Sequence, residues 1–454
     1  MSFPIYLTKY SYLHILMKYS DNAITAKKDA IVMYIDMNSY FASCEQQRHP
    51  ELRGKAVGVV TYDSPNASVI AASIEAKRMG VKTGMRLPDC KLLCPHIIPV
   101  TTHPGWYRQI HVEIMAILKS YCDDVIAKSI DEAVMNFTSY RLVYKDFTVV
   151  ANQIKADIKK KYDYLTCSIG IAPNSFLAKL GTELQKPDGL IQITPENIDG
   201  YLATLKLTDL PGIASRNERR LLLTGVRTPL EMRHSSPALL RKVFGGIVGD
   251  YWHNRLNFKE VDLYNNTFNH TMSATRTLSR QQTANPQSIE AMLIALCTRL
   301  EQRMVKGEVF CKEVSFWIKY RDSTVWETKV KLANPVQDGL ELRRYIKEKM
   351  QEFETSHNRV LFSNHVQNIG VGIQNFMSDK VLQYSLFDNR IQQDVVRKVM
   401  YNIKDKYGKN SVRKGCELID PTIMKDAVGF GSVRDMTAND GVVRNKYMLE
   451  EEEF

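Results

Sequence analysis

Asp36 closes the apolar run Ile31-Val32-Met33-Tyr34-Ile35, and a second acidic site, Ser129-Ile130-Asp131-Glu132-Ala133, parts Val125-Ile126-Ala127 from Val134-Met135-Asn136-Phe137. If the fold brings the two sites together, three carboxylates meet at one point. Charges of one sign that close repel strongly, and the usual relief is divalent cations with oxygen ligands, most simply Mg²⁺ bridging to substrate phosphates. Two such ions lower the pKa of an attacking hydroxyl and neutralise a triphosphate with its leaving group, the chemistry of phosphoryl transfer. Taken singly, a strand-end acid and an acid-rich turn are ordinary features of proteins with no such site.

The elements that must position these acids are legible. The β-rich run before Asp36 predicts a strand delivering the carboxylate to its C-terminal end, and residues 125–137 predict a β-hairpin with acids at its turn. Trp106, Ile110, Ile114, Ile117 and Leu118 predict an amphipathic helix over 105–119, and Val150, Ile154 and Ile158 another over 149–162. A strand over 166–172 follows, then Pro173-Asn174-Ser175 capping a helix through Glu183, then Lys186-Pro187-Asp188-Gly189. The order β–α–β–β–α–β, with acids on central strands, predicts a ferredoxin-like sheet. Between Phe41 and Pro104 the chain predicts a short helix, strands at Val57–Val60 and Ser68–Ser73, and a helix from Ile74 closed by Gly80. Lys77 and Arg78 on that helix could meet an anion held at the carboxylates, or simply be a solvated last turn.

Downstream, Leu207-Thr208-Asp209-Leu210-Pro211-Gly212-Ile213 followed by Leu221-Leu222-Leu223-Thr224-Gly225-Val226 has the form of a helix-hairpin-helix. Its Pro-Gly turn would offer backbone N–H groups to a DNA phosphate without reading bases, beside Arg216, Arg219 and Arg220. A polar stretch at 259–269 predicts a linker. Residues 271–377 predict an α+β module with a helix over 288–305, strands at 312–320, 326–330 and 369–374, and cations in Thr275-Arg276-Thr277-Leu278-Ser279-Arg280 suited to a phosphate backbone. Beyond Ser378, Gln383-Tyr384-Ser385-Leu386-Phe387 reads as an anchor for another protein's apolar pocket, and the charged remainder is expected to be partly helical and partly disordered.

Composition agrees with this division. A length of 454 residues implies about three or four domains, and Lys+Arg 61 against Asp+Glu 50, a net charge of +11, favours a polyanionic partner such as nucleic acid. Eight cysteines without a CxxC pair are read as reduced thiols of a cytoplasmic protein. No apolar run approaches the roughly 18 residues that span a bilayer, which argues against a membrane partner. The first 29 residues lack a signal-peptide cleavage site and read as an extension or the product of an upstream start codon.

Three motifs carry a resemblance: Asp36-Met37-Asn38-Ser39-Tyr40-Phe41-Ala42-Ser43-Cys44-Glu45, Glu75-Ala76-Lys77-Arg78-Met79-Gly80-Val81-Lys82 and Ser129-Ile130-Asp131-Glu132-Ala133. Gly170-Ile171-Ala172-Pro173-Asn174 with Ala178-Lys179, then Lys186-Pro187-Asp188-Gly189 and Leu210-Pro211-Gly212-Ile213, continue it. In this order they resemble the Y-family translesion DNA polymerases over about residues 30–415, especially the UmuC-like branch and its UvrX-type relatives in Gram-positive bacteria and mobile elements. The resemblance implies an α+β multidomain right-hand polymerase: an N-terminal extension (1–29), a ferredoxin-like palm (30–40 and 105–193), small fingers (41–104), a helix-hairpin-helix thumb (194–260), a linker (261–270), an α+β little finger (271–377) and a tail (378–454).

The same resemblance implies residue roles. Asp36, Asp131 and Glu132 would be the catalytic carboxylates holding two Mg²⁺ ions, with Mn²⁺ as the alternative metal and the Met37 carbonyl completing one shell. Phe41 would be the steric gate that clashes with a ribose 2′-OH, Tyr40 would line the nucleotide floor, and Lys77, Arg78 and Lys186 would meet the triphosphate. Pro211, Gly212, Ile213, Arg276 and Arg280 would hold primer-template DNA. Gln383, Ser385, Leu386 and Phe387 would bind a bacterial sliding clamp, and a recombinase or UmuD-like accessory protein is a further implied partner. One departure stands out: the common family pattern places a tyrosine three residues before an arginine on the triphosphate, whereas this chain has Ile74 and Lys77, and Ile74 cannot donate a hydrogen bond. A non-catalytic accessory protein would be expected to have lost a metal carboxylate. A nucleotidyl cyclase, which shares the palm and acids, would not need the hairpin and the basic module.

Overall fold

A computed structural model describes residues 30–262, 271–379, 390–408 and 411–415. They form two compact units, 30–262 and 271–415. The peptide Gln383–Phe387, the first 29 residues and everything after 415 lie outside the described residues.

The first unit opens with β1 (Val32–Met37), followed by the helix Tyr40–Arg48 and a small sheet of β2 (Val57–Val60), β3 (Val69–Ala72) and β4 (Ile98–Thr101) in the order β3-β2-β4. The helix Pro104–Lys119, the hairpin β5 (Val125–Ala127) and β6 (Glu132–Asn136), the helix Phe147–Lys161, β7 (Cys167–Ala172), the helix Ser175–Leu184 and β8 (Leu190–Gln192) follow. Five strands make one sheet, β5-β6-β1-β7-β8, with β1 at its centre. This is the expected β–α–β–β–α–β order with an additional helix and strand.

All six residues of β1 are buried because the sheet is covered on both faces. Met33, Ile35 and Met37 join a core with Ile110, Ile114, Val150 and Ile154 of two helices. Val32 and Tyr34 face the other way, into a core with Phe176, Leu177 and Leu180 of the helix Ser175–Leu184. Side chains alternate along a strand, so Asp36 falls on this second face, and Glu132, its register partner on β6, shares it. The helix that supplies Lys179 therefore looks down on both acids.

That helix lies unusually close to the sheet. A Cβ on Gly170 would sit 1.9 Å from the Ala178 carbonyl oxygen, a distance no side chain tolerates. Gly170→Ala is expected to push the helix off the strand and cost about 3 kcal/mol, the upper end of overpacking penalties. Urea unfolding would show this as a lowered midpoint at unchanged slope.

The remainder of the unit is helical: Ile198–Thr204, Ser215–Leu223, Pro229–His234, Pro237–Phe244 and Ile247–Leu256. The expected hairpin is present, but Leu207–Asp209 forms only a single 3₁₀ turn, and the helix before it ends at Thr204. Gly212 has φ +92°, the left-handed conformation that its lack of a Cβ permits.

The second unit is an antiparallel sheet of β9 (Thr271–Thr277), β10 (Val309–Tyr320), β11 (Val325–Val336) and β12 (Val366–Ser378) in the order β11-β10-β12-β9. Leu293, Leu296 and Leu300 of the helix Pro286–Lys306, with Leu342 and Ile346 of Gly339–His357, pack on Val314, Phe316 and Ile318. The opposite face carries Ser315, Trp317 and Lys319 of β10 in register with Lys329, Glu327 and Val325 of β11. The helix Arg390–Tyr407 belongs to this unit, and Arg397 pairs with Asp338 at 3.1 Å.

Candidate active site

The site is built where β1 ends. Met37 N–H donates to the Asp131 carbonyl at 2.9 Å and Asn38 N–H to the Thr166 carbonyl at 2.9 Å, which fastens the strand end between the acidic turn and β7. The Asn38 side chain then works as a junction. Its Nδ2 donates to Ser168 Oγ at 3.0 Å, and its Oδ1 accepts from Thr166 Oγ1 at 3.0 Å and from the Asp188 N–H at 2.8 Å. Asn38 thereby ties the Lys186-Pro187-Asp188 loop to the acid-bearing strand. Ser39 follows with φ 49°, turning the chain sharply into the helix that bears Tyr40 and Phe41.

A cavity of about 640 Å³ opens over this junction. Asp36, Met37, Tyr40, Phe41, Lys77, Arg78, Asp131, Glu132 and Lys186, all singled out from the sequence, line it together with Ile74. They come from four separate stretches of the first unit. Pro211, Gly212 and Ile213 do not line it.

Lys179, Glu183 and Tyr34 complete the charge network. The Lys179 ammonium contacts Asp36 Oδ2, lies 2.7 Å from Glu132 Oε1 and 2.8 Å from Glu183 Oε1. Lys186 Nζ is 3.0 Å from Asp36 Oδ2 and 2.8 Å from Glu183 Oε1, and the Tyr34 hydroxyl donates to Glu132 Oε2 at 2.9 Å. The sequence reading gave none of the three a role. The i, i+4 spacing of Lys179 and Glu183 was the available signal, but that spacing alone denotes an ordinary helix-surface pair.

Burial alone would raise the Asp36 carboxyl, yet the Lys179 and Lys186 ammonium groups hold it below the usual carboxylate range. Glu132 goes the other way: burial pushes its carboxyl up, and the attraction of Lys179 does not fully compensate. One ammonium shared among Asp36, Glu132 and Glu183 does not offset the burial of Glu132. Across the cavity, burial and the nearby Lys186 ammonium hold the Lys77 amine below its ordinary value, against the pull of Asp36, Glu183 and Asp131.

Whether these residues suit a divalent ion can be judged from their donors. Among the described residues no three acidic, histidine or cysteine side chains converge as a ready-made cage. The Asp131 carboxylate accepts a hydrogen bond from Ser129 Oγ and lines the same cavity as Asp36 and Glu132. Asp36 and Glu132 nonetheless already share one cation, and Asp131 adjoins Glu132 in sequence and bonds to β1 through its backbone. An all-oxygen set of this kind fits a hard divalent ion.

Lys179→Met tests the sharing. Without added metal it should lower stability by about 3 kcal/mol, the lower end for breaking a buried pair because Lys186 still faces Asp36. With millimolar Mg²⁺ the loss should shrink, because the ion binds only the folded acids. Thermal unfolding with chelator and with Mg²⁺ reads both.

The predicted phosphate-binding hairpin offers fewer donors than its sequence implies. Pro211 has no N–H, and the Ile213 N–H donates to the Leu210 carbonyl at 3.0 Å. Gly212 remains, beside the N-terminal end of the helix Ser215–Leu223, whose N-cap position, Ala214, carries no capping side chain. In the second unit Arg276 is the register partner of Ile369, on the helix-covered side of the sheet, and Arg280 is exposed at the start of a short helix.

Comparison with known proteins fits this geometry. The impB/mucB/samB family model matches residues 35–183, and the model of that family's C-terminal domain matches residues 269–386, together more than half of the chain. The chain belongs to this family, the Y-family DNA polymerases. Relatives of this Y-family member include a DNA polymerase IV of Pelotomaculum thermopropionicum, 28% identical over 88% of this chain and 98% of its own length. A DNA polymerase IV of Pseudomonas aeruginosa is 33% identical over 49% of this chain and 63% of its own. Among solved structures, a chimeric Y-family DNA polymerase superposes with a TM-score of 0.64 at 24% identity, covering 77% of this chain and 99% of its own. A Dbh DNA polymerase in an insertion ternary complex gives 0.53 at 23% identity over the same shares. Y-family polymerases are metal-dependent, in keeping with the oxygen donors at the end of β1. No described helix is long and apolar enough to cross a membrane.

Proposed function

We propose that the cavity at the end of β1 is the nucleotidyl-transfer site of a low-fidelity, template-directed DNA polymerase that acts in translesion synthesis. The observation that carries this is the register pair Asp36 and Glu132 sharing one cation on the cavity wall, with Phe41 and Lys77 lining the same space. Mg²⁺, with Mn²⁺ as the alternative, would be held by Asp36, Asp131, Glu132 and the Met37 carbonyl, and when bound supplies activation of the primer 3′-OH and neutralisation of the leaving pyrophosphate.

The protein's own groups do the rest by positioning and electrostatics. Lys77, Arg78 and Lys186 bind the triphosphate as point charges or a fork. Tyr40 and Phe41 form the floor and the sugar gate. Residues 41–104 are too few for a large closing helix over the nascent base pair, which favours tolerance of damaged templates over fidelity. We assign the palm to 30–40 and 105–193, the fingers to 41–104, the thumb to 194–260 and the little finger to 271–377. The thumb hairpin at Gly212 and the basic second unit grip primer-template DNA.

The branch is proposed as UmuC-like or UvrX-like, supported by Lys77 in place of the common arginine. The peptide Gln383–Phe387 is proposed as a sliding-clamp anchor in the bacterial cytoplasm, with a recombinase or UmuD-like protein as a further partner. Primer extension on undamaged and lesion-bearing templates, with and without clamp, tests the reading. Extension through the lesion and clamp stimulation that disappears when 383–387 are deleted are expected. A block at every lesion would rule out translesion synthesis, and stimulation that survives the deletion would rule out the anchor.

A further inference from the structure

Glu45 is wholly buried in the helix Tyr40–Arg48, one turn beyond Phe41. A lone carboxylate there would be costly, so its partners are informative. The Tyr107 hydroxyl donates to Glu45 Oε1, and His103 Nδ1 lies 3.0 Å from both Glu45 oxygens. Trp106 Nε1 donates to the Cys44 carbonyl at 3.1 Å, and the Tyr40 hydroxyl donates to the Tyr107 carbonyl at 2.7 Å. These bonds lock the first turn of the helix Pro104–Lys119 against the helix that carries Tyr40 and Phe41.

The Tyr107 ring, itself fully buried, stacks on Phe41 with centroids 4.5 Å apart and planes 17° from parallel. Near-parallel stacking constrains both the depth and the tilt of the Phe41 ring. Burial and the adjacent Glu45 push the Tyr107 phenol above its ordinary range, so it stays protonated and keeps donating. Phe41 lines the cavity, whereas Tyr107, Glu45 and His103 stand behind it without lining it.

We propose that Tyr107, anchored by Glu45 and His103, is a positioning residue that holds the Phe41 ring at the depth where it excludes a ribose 2′-OH. Sugar selectivity is then set by two residues far apart in the chain, a gate and its backstop. The inference rests on the reading of Phe41 as the sugar gate.

The test is the ratio of kcat/KM for a ribonucleotide to that for the matching deoxynucleotide, measured for wild type, Phe41→Ala, Tyr107→Leu, Tyr107→Phe and the Phe41→Ala/Tyr107→Leu double variant. Tyr107→Leu, which removes the flat ring, should raise the ratio about tenfold, the scale of one aromatic stacking contact, while deoxynucleotide kcat/KM stays within about threefold. Tyr107→Phe, which keeps the ring, should hold the ratio within about threefold of wild type. The double variant should be no less selective than Phe41→Ala alone.

A ratio unchanged by Tyr107→Leu but raised by Phe41→Ala overturns the inference, as does a further rise in the double variant. A ratio unchanged by Phe41→Ala removes the gate itself and the backstop with it, and is told apart because Tyr107 is untouched. Should Tyr107→Leu fail to fold, Tyr107→Met carries the same comparison.

Discussion

Replacing Asp36 with asparagine is expected to lower kcat for primer extension by about 10³-fold, the equivalent of roughly 4 kcal/mol of electrostatic stabilisation at the reacting phosphate. Asparagine keeps the shape of the side chain at the end of β1, so the strand and its neighbours should stand. What disappears is the charge that holds Lys179 and Lys186 on one oxygen. Lys179 would keep Glu132 and Glu183, so unfolding should change far less than activity. Single-turnover extension beside thermal unfolding separates the two, and a large loss of stability with modest loss of rate would assign Asp36 a structural role only.

Phe41→Ala should carry the second large effect. The ring is 4% exposed, lines the cavity and is backed by Tyr107, so it cannot retreat from an added hydroxyl. Forcing a 2′-OH against such a wall costs about 1–3 kcal/mol, and removing the wall should therefore raise ribonucleotide use about 10- to 100-fold at little change in deoxynucleotide use. Competition between the two nucleotides in one reaction reads this directly. Equal discrimination in wild type and variant would take the sugar gate away from Phe41.

Much of the fold could be read from the chain because its strongest signals are local. The apolar run ending at Asp36 became β1, and the helical spacing of Ile110, Ile114 and Leu118 became the helix Pro104–Lys119. The helix Gly339–His357 was not anticipated, although Asp338 caps it by accepting from the Leu340 and Glu341 N–H groups and Leu342, Ile346 and Met350 recur at helical spacing. Its polar composition masked the stripe. The short helices after Thr228 and Ser236 also carried legible caps, each followed by proline.

The site was less legible than the fold for a tertiary reason. Lys179 reaches Asp36 and Glu132 because Gly170 lets its helix approach the sheet and because β1 alternates between two cores. Neither fact is a property of residues 175–184. The carboxylates show the same limit: Asp36, Asp131 and Glu132 all line one cavity, but the Lys179 ammonium shared by Asp36 and Glu132 and the Ser129 hydroxyl on Asp131 are contacts of the folded chain alone.

The most direct measurement is primer extension by the purified protein with Mg²⁺ and one deoxynucleotide at a time, comparing wild type with Asp131→Ala/Glu132→Ala. Wild type should add the nucleotide complementary to the template base and the double variant should add none, while both bind primer-template DNA. Equal incorporation by the two proteins would contradict the carboxylate mechanism, and no templated incorporation by wild type would contradict the polymerase itself.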